Sequence, residues 1–233
     1  MIVNKYIDDQ VTVYDDVFSI ETLREFEVEC STLKFSFGAY DNIENPIPTG
    51  LACEGITYTK TFNELWKFCE DYCPEVDGLA LFKSSCNFFA PGENAYYHTD
   101  DSDPKAITLL FYPQTFWDIN EGGETKLLTD PRKVIYSLAP IPGRIITFPS
   151  TMSHTATGLR GRQRFTPALK FVSEEVMNKR RDEWLKTPLK YPGNGIEGRT
   201  PNDKIKIVKC KKQEPKNRLE QMASLTHDPI AHC

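Results

Sequence analysis

The feature that most constrains the fold is a succession of short β-type segments between residues 79 and 172. Turn residues separate the runs LALFKSSCNFF, AITLLFY, ETKLL, VIYSLA, RIITF and RFTPALKF. The turns contain Gly and Pro, as in Ala90-Pro91-Gly92 and Ile141-Pro142-Gly143, which supply the backbone freedom or fixed φ that a tight reversal needs. Five or more such strands predict a β-sandwich or a β-barrel.

Helices are predicted on both sides of these strands. The first is expected at 19–35, with Ser19 as its N-cap, and the second at 61–72 with one apolar face. A charged helix is expected at 174–185. Between the first two helices, the segment 38–55 is rich in Asn, Pro and Gly, and we predict a loop that faces the substrate.

The charge of the chain is unevenly distributed. The formal net charge is -5, but residues 186–233 carry ten Lys and Arg against five Asp and Glu. We therefore expect a catalytic domain over 1–185, with its β core at about 79–172, followed by a basic C-terminal tail at 186–233. Such a tail could contact nucleic acid, but solvation or packing on the acidic body of the same protein is the commoner explanation.

Cysteine usage and the N-terminus indicate the compartment. The seven cysteines have no CxxC spacing, so neither a disulfide framework nor a zinc ribbon is indicated, and a reducing environment fits best. The N-terminus MIVNKYIDDQ has no basic region followed by an apolar run, and no stretch of about 18 apolar residues occurs. We expect a soluble, cytoplasmic protein without membrane contact.

Three residues are candidates for binding one metal ion. His98 and Asp100 lie two apart, so in an extended segment their side chains leave the same face. His154 follows the strand RIITFPS and a polar turn, where a later strand of the same barrel could bring it opposite the first pair. Two imidazoles and one carboxylate leave three coordination positions open, as expected for a non-haem iron(II) oxygenase.

The same residues allow two other interpretations, a surface pair without a metal and a zinc site. A lone His-x-Asp pair is a weak signal, because surface His and Asp are common. Zinc hydrolases use similar ligands, but the chain has no HExxH helix and no evident general base for a metal-bound water. The two other histidines, His227 and His232, lie in the polar tail and are expected to be exposed. Iron is therefore favoured.

An arginine strengthens the case for an oxygenase. Arg164 opens the strand RFTPALKF, and a buried guanidinium there would need an anion such as the far carboxylate of a chelating 2-oxo acid. Arg160 and Arg162 share the parity of Arg164, so strand alternation alone does not exclude them. We favour Arg164 because an apolar strand follows it directly.

A series of motifs spans residues 79–172 in one order: Phe89-Ala90-Pro91-Gly92, His98-x-Asp100, Trp117, Glu121-Gly122-Gly123-Glu124-Thr125, Pro142-Gly143-Arg144, Phe148-Pro149, His154 and Arg164. In order and spacing these motifs resemble the prolyl 4-hydroxylase branch of the iron(II)- and 2-oxoglutarate-dependent dioxygenases. The first two look like that family's strand, turn and ligand pair, and the Glu121–Thr125 segment is similar to its GGxT segment.

The resemblance implies a mainly β fold, a double-stranded β-helix (a cupin-like jelly roll), with N-terminal helices packed on one sheet. It implies that His98, Asp100 and His154 bind iron(II), and that Arg164 binds the distal carboxylate of 2-oxoglutarate. Tyr112 matches a position whose hydroxyl joins the basic residue at that carboxylate in some relatives. Packing as a core aromatic is the alternative for this tyrosine.

The residues around the substrate are less closely matched to the family. Tyr96, Tyr97 and Trp117 are candidates for lining the substrate site, although aromatic residues beside a ligand often serve only in packing. In two places the chain departs from many relatives: Phe89 stands where they have a tyrosine before the Pro-Gly turn, and Lys170 where they have a tryptophan late in the last strand. Both departures bear on oxo-acid and substrate binding rather than on the metal.

The implied activity is the hydroxylation of a C–H bond with consumption of O2 and release of succinate and CO2. A prolyl residue in a peptide or protein is the favoured substrate, and ascorbate is expected to keep the iron reduced. The alternatives are an oxygenase acting on a nucleic acid or a small molecule, a non-catalytic jelly-roll binding module, and a cupin-like isomerase or metal-dependent lyase. The chain lacks the interleaved aromatic and basic platform that binds single-stranded nucleic acid.

Overall fold

The structure is a computed structural model that describes residues 1–6, 9–39, 50–130, 133–186 and 209–210. These residues form eleven strands: β1 (Ile2–Tyr6), β2 (Val11–Asp15), β3 (Ser36–Ala39), β4 (Gly50–Glu54), β5 (Ala80–Phe89), β6 (Ile107–Phe111), β7 (Thr125–Asp130), β8 (Lys133–Leu138), β9 (Ile145–Pro149), β10 (Ser153–Ala156) and β11 (Arg164–Val172). They also form three α-helices: α1 (Ile20–Ser31), α2 (Lys60–Tyr72) and α3 (Glu174–Lys186).

The described strands make two antiparallel sheets. The large sheet has the order β1-β2-β9-β6-β11-β5-β4-β3, and the small sheet has the order β10-β7-β8. An extended segment that ends near Asp100 adds a short edge to the small sheet, because Asn94 bridges Thr157 and His98 bridges His154. This arrangement is a double-stranded β-helix, so the predicted jelly roll is confirmed.

Alternation along the strands separates two apolar clusters on the faces of the large sheet. Leu109 and Phe111 pack into the cluster that contains the buried side chains of α1 and α2. Leu110 and Tyr112 belong to a second cluster, which they share with Leu127 of the small sheet. Successive side chains of a strand point to opposite faces, so one short run covers both clusters. The predicted packing of the N-terminal helices on one sheet is confirmed.

The first helix begins at its predicted cap, and α2 begins one residue before the predicted start, with Thr59 as its N-cap. The side chain of Ser19 accepts a hydrogen bond from the backbone N–H of Thr22 and so caps α1. This helix ends four residues before the predicted boundary at Phe35, because the chain turns and enters β3 at Ser36. No helix in the described ranges is both long and apolar enough to cross a membrane.

Several elements differ from the sequence-based expectations. The ends of the predicted loop 38–55 belong to β3 and β4, which pair at the edge of the large sheet, and residues 40–49 lie outside the described residues. The N-terminal hairpin of β1 and β2 was not predicted. Most of the tail 186–233, including His227 and His232, also lies outside the described residues.

Gly158 lies where two segments of the chain meet closely. A Cβ atom at this position would lie 2.5 Å from the backbone oxygen of Glu93 and 2.9 Å from that of Ala90. Backbone atoms cannot move away cheaply, so we expect Gly158→Ala to lower the free energy of unfolding by about 1–3 kcal/mol. Urea denaturation followed by circular dichroism measures this change.

Gly161→Ala is the matched control for this substitution. Its Cβ would meet only the side-chain carboxylate of Glu121, with the nearest oxygen at 3.4 Å. A flexible side chain can yield, so the expected loss is within about 0.5 kcal/mol. Equal losses in the two variants would contradict the close backbone approach at Gly158.

Candidate metal centre

Backbone pairing brings two histidines together. The N–H of His98 donates to the oxygen of His154 at 3.0 Å, and the N–H of His154 donates to the oxygen of His98 at 2.9 Å. The ring centroids consequently lie 4.3 Å apart. His154 is therefore on strand β10, beyond the polar turn that precedes it in sequence, and faces the segment that carries the other ligand pair.

Both imidazoles are oriented by backbone carbonyls. Nδ1 of His98 lies 2.9 Å from the oxygen of Tyr96, and Nδ1 of His154 lies 3.1 Å from the oxygen of Met152. Because a carbonyl only accepts, each Nδ1 carries the hydrogen and each Nε2 offers a lone pair. These Nε2 atoms lie 3.5 Å and 3.6 Å from the carboxylate oxygens of Asp100.

The carboxylate of Asp100 is held by a set of short contacts. Its side chain is only 3% exposed, and Thr108 donates to Oδ2 at 2.7 Å. Nζ of Lys170 lies 2.5 Å from Oδ1. The backbone N–H of Asp100 donates to the oxygen of Ser150 at 2.8 Å. Both oxygens are thus fixed in direction before any ion binds.

The charge states suit a cation. Burial alone would raise the pKa of the Asp100 carboxyl, but the electrostatic interactions of the carboxylate with His154, Lys170 and His98 outweigh burial and hold its pKa well below the usual range. Burial lowers the pKa of His154 to about 4, even though Asp100 opposes this shift. At neutral pH His154 is therefore uncharged, and its Nε2 lone pair is available to a metal ion.

A second set of contacts fastens the Asp100 loop to α3. Arg180 donates two hydrogen bonds to Asp101, at 2.7 Å and 2.8 Å, and its guanidinium lies above the ring of Phe82. Ser173 donates to Asp103 from both its backbone N–H and its hydroxyl. Bidentate Arg–carboxylate pairs are geometrically specific, so these contacts limit the movement of the loop that carries Asp100.

Arg164 is a buried cation in the same cavity. It is 1% exposed, donates to the oxygen of Thr157 and the hydroxyl of Thr125, and has no partner at Nε. In the described part of the chain no carboxylate lies within 4 Å of its nitrogens. Burial lowers the pKa of Arg164, but an arginine side chain stays charged at neutral pH. Arg164 thus forms no ion pair with a described carboxylate, and Glu124 acts on its charge at longer range.

The other residues considered for the anion site differ from Arg164 in their surroundings. Arg160 is exposed, whereas Arg162 lies over the ring of Phe116 and donates to its backbone oxygen. Tyr112 is fully buried, its ring stacks on the guanidinium of Arg164 with 5.1 Å to the centroid, and its hydroxyl lies 2.7 Å from that of Thr125. Tyr112 is thus a core aromatic and also a neighbour of the cation.

One cavity of about 190 Å³ joins these features, and its wall includes the three metal-ligand candidates and Arg164. Tyr96, Tyr97 and Trp117 are not among the residues that line it. Trp117 instead donates a hydrogen bond from Nε1 to the backbone oxygen of Gly122 at 2.8 Å, and this bond stabilises the turn before β7. Thr125, the threonine of the GGxT segment, also lines the cavity, a position that its place in the motif does not predict.

The donor set fits iron(II). One side of the cavity presents two imidazole nitrogens and a carboxylate within 4.8 Å of one another, which is the ligand combination of a facial triad. The other side presents a guanidinium whose Nε lacks a partner, and this cation suits the far carboxylate of an oxo acid. Both halves of an iron and 2-oxo acid site therefore face the same space.

Solved structures of iron(II) oxygenases have the same fold. A prolyl-4-hydroxylase of Pseudomonas putida aligns with a TM-score of 0.50 at 16% identity, over 71% of this chain and 93% of its own. A Trichoplax adhaerens prolyl hydroxylase, in complex with a hypoxia inducible factor peptide fragment, gives 0.53 at 17% identity over 73% and 86%. The non-haem α-ketoglutarate-dependent carbocyclase SnoK of nogalamycin biosynthesis gives 0.53 at 10% identity over 70% and 79%.

These alignments show a common architecture. No protein-family model matches the chain, and no curated protein matches its sequence. The chain therefore has the fold of the 2-oxoglutarate- and iron(II)-dependent oxygenases, including that of prolyl 4-hydroxylases, and has a His-Asp-His cluster inside it.

Two adjacent aspartates provide a test of the metal centre. Asp100→Asn removes the anionic ligand, so we expect the affinity for Mn(II), an air-stable substitute for iron(II), to fall by at least about 100-fold, the upper end of the losses caused by outer-shell changes. Isothermal titration calorimetry of the metal-free protein measures this affinity.

Asp101→Asn is the control, because it changes the same chemical group one residue away. Asp101 pairs with Arg180 and is not among the clustered ligands. Its substitution should lower Mn(II) affinity by less than about tenfold. Equal losses in the two variants would assign the effect to displacement of the loop and would contradict a direct ligand role for Asp100.

Proposed function

We propose that this chain is an iron(II)- and 2-oxoglutarate-dependent oxygenase that hydroxylates a C–H bond of a second substrate. The observation that carries the proposal is the position of Arg164, a fully buried cation without a carboxylate partner, on the wall of the cavity that also holds the His-Asp-His cluster. A metal site alone suits many reactions, whereas a metal site together with a buried anion site suits a chelating oxo acid.

Each residue has a defined role in this proposal. His98, Asp100 and His154 hold iron(II) through two Nε2 atoms and one carboxylate oxygen. Arg164 binds the distal carboxylate of 2-oxoglutarate, and Thr125 lines the cavity beside it. Tyr112 does not line the cavity but packs against the guanidinium of Arg164 and lies within hydrogen-bond distance of the Thr125 hydroxyl. Bound iron with 2-oxoglutarate and O2 supplies an oxidative decarboxylation that releases succinate and CO2 and hydroxylates the substrate.

The protein contributes orientation and shielding. The carbonyls of Tyr96 and Met152 keep the two Nε2 lone pairs directed toward Asp100. Thr108 and Lys170 fix the two carboxylate oxygens. The sheets enclose the reacting atoms, so water has limited access and electrostatic interactions are strong there. No side chain is required as a general base.

The favoured substrate is a prolyl residue in a peptide or protein. Support comes from the resemblance in motif order and from the fold shared with a prolyl hydroxylase that has a peptide bound. The fold is also shared with a carbocyclase of nogalamycin biosynthesis, so a small-molecule substrate is the second candidate. A nucleic-acid substrate has no comparable support.

The chain divides into a catalytic domain and a C-terminal extension. We place the activity in residues 1–185 and treat 186–233 as an extension, part of which returns to the body, because Cys210 is buried and its N–H donates to Leu79. Six cysteines lie in the described part and all six are buried thiols, in keeping with a reducing cytoplasm. Ascorbate is expected to maintain the iron in its reduced state.

Succinate formation tests the proposed reaction. Metal-free protein is reconstituted anaerobically with iron(II), then given 2-oxoglutarate, ascorbate and air. We expect succinate to form even without a second substrate and to be absent with Asp100→Ala, because the variant lacks the anionic metal ligand. Protein that binds iron but makes no succinate, even with proline-rich peptides, would favour a binding module or another metal-dependent reaction.

Two neighbouring arginines test the oxo-acid site. Arg164→Met removes the buried cation, so we expect the dissociation constant for 2-oxoglutarate in the Mn(II) form to rise by about 10- to 100-fold, the equivalent of one or two charged hydrogen bonds. Arg162→Met removes a cation that lies over Phe116 outside the cavity wall, and should change the constant by less than about twofold. Calorimetric titration distinguishes the two, and an equal effect would refute the role of Arg164.

A further inference from the structure

Two lysines face each other on the cavity wall. Lys170 of β11 is the register partner of Lys83 of β5, and both side chains line the cavity that holds the metal-ligand candidates. Side chains directly opposite on adjacent antiparallel strands have Cβ atoms about 4.5–5.5 Å apart, and like charges in such a pair are destabilising. A pair of ammonium groups at this position therefore needs nearby negative charge.

Two carboxylates of the chain supply that negative charge. Lys170 is paired with Asp100 at 2.5 Å, and Lys83 is paired with Glu54 at 2.9 Å. Asp100 is also the anionic member of the proposed metal triad, so a bound dication would share its charge and weaken its hold on Lys170. Glu54 is 37% exposed at its side chain and can turn away from Lys83 into solvent. Both ammonium groups are thus available to an incoming anion.

The charges on the cavity wall leave room for one more anion. Among the described residues that line it, Lys83, Lys170 and Arg164 are positive, whereas Glu54 and Asp100 are negative. Iron(II) brings two positive charges and 2-oxoglutarate two negative charges, so the occupied site keeps the same excess of one positive charge. A neutral prolyl residue would leave that charge unbalanced.

The wall between the lysines and Arg164 is also polar. Thr166 is 2% exposed, lines the cavity and has a hydroxyl oxygen without a hydrogen-bond partner. Its register partner Asn87 and the nearby Ser85 line the same face. An unpartnered buried hydroxyl costs free energy, and a ligand oxygen would satisfy it. This part of the wall can therefore donate hydrogen bonds to ligand oxygen atoms.

We infer that Lys83 and Lys170 bind a carboxylate of the second substrate, with the hydroxyl of Thr166 donating to the same ligand. The inference rests on the proposed oxygenase function, because it concerns the substrate of that reaction. The carboxylate has two sources in a prolyl substrate: the free α-carboxylate of the amino acid or of a C-terminal residue, and the acidic side chain of a residue beside the proline.

Matched probes that differ only in this charge test the inference. Protein saturated with Mn(II) and 2-oxoglutarate is titrated by calorimetry with free L-proline against L-prolinamide. In a second arm it is titrated with a blocked Gly-Asp-Pro-Gly peptide against its Asn counterpart. We expect the acid member of at least one pair to bind about tenfold more tightly than its amide, the range of one charge-assisted hydrogen bond. The pair that shows the gap identifies the source of the carboxylate.

Lysine variants test whether the two lysines cause the difference in affinity between the acid probe and its amide. Lys170→Met and Lys83→Met should each reduce the preference for the acid severalfold, while Lys170→Arg, which keeps the charge, should retain most of it. Lys67→Met is the control, because Lys67 is exposed on α2 and does not line the cavity. Melting curves confirm that each variant is folded before titration. If Lys170→Met does not fold, Lys83→Met alone tests the inference.

The outcomes separate this inference from the proposed function. Equal binding of acid and amide in both pairs, or no binding of any probe, would overturn the carboxylate site even if the protein forms succinate from 2-oxoglutarate. An acid preference that survives both lysine substitutions would overturn the assignment to Lys83 and Lys170. An acid preference without any succinate formation would preserve the anion site and reject the oxygenase function.

Discussion

The pair of backbone hydrogen bonds between His98 and His154 is the interaction on which the rest of the site depends. It joins an irregular extended segment to strand β10, so that two residues 56 positions apart in sequence present their imidazoles side by side. The segment continues directly into Asp100, which Thr108, Ser150 and Lys170 hold in place. The jelly roll supplies the strands, and this single register between them assembles the three metal-ligand candidates.

The cavity concentrates charge that a folded protein normally avoids. Arg164 is fully buried without a carboxylate partner, and Lys83 and Lys170 lie opposite each other in register. A buried charge is costly unless it is paired, so Arg164 favours an anion close by. The two lysines are paired with Asp100 and Glu54. Occupation by a metal ion, an oxo acid and an acidic substrate would redistribute these pairs, which links stability directly to ligand binding.

Much of this arrangement is visible in the sequence, and the exceptions have physical causes. Short runs of β-forming residues predict β5, β6, β9 and β11, and the motif order predicts the ligand set. Of these strands, β6, β9 and β11 contribute side chains to both apolar clusters, whereas β5 has one apolar face and one face on the polar cavity. The short edge strands β3 and β4 lie in a segment of turn-forming residues, so their pairing depends on β5 rather than on local propensity. The cation pair of Lys83 and Lys170 follows from strand register, which single-strand patterns do not contain. Tyr96 and Tyr97 precede His98 directly and Trp117 belongs to a family-like motif, but neither feature decides which side chains line a cavity.

The central claim is that one ion and one oxo acid share this cavity. The most direct test is the affinity for 2-oxoglutarate measured by calorimetry with and without Mn(II). If the oxo acid chelates the ion while Arg164 binds its far end, affinity should rise by at least about tenfold when the metal is present, and metal affinity should rise by the same factor when the oxo acid is present. This reciprocal gain should disappear in Asp100→Ala. Equal affinity for 2-oxoglutarate with and without metal would contradict the account.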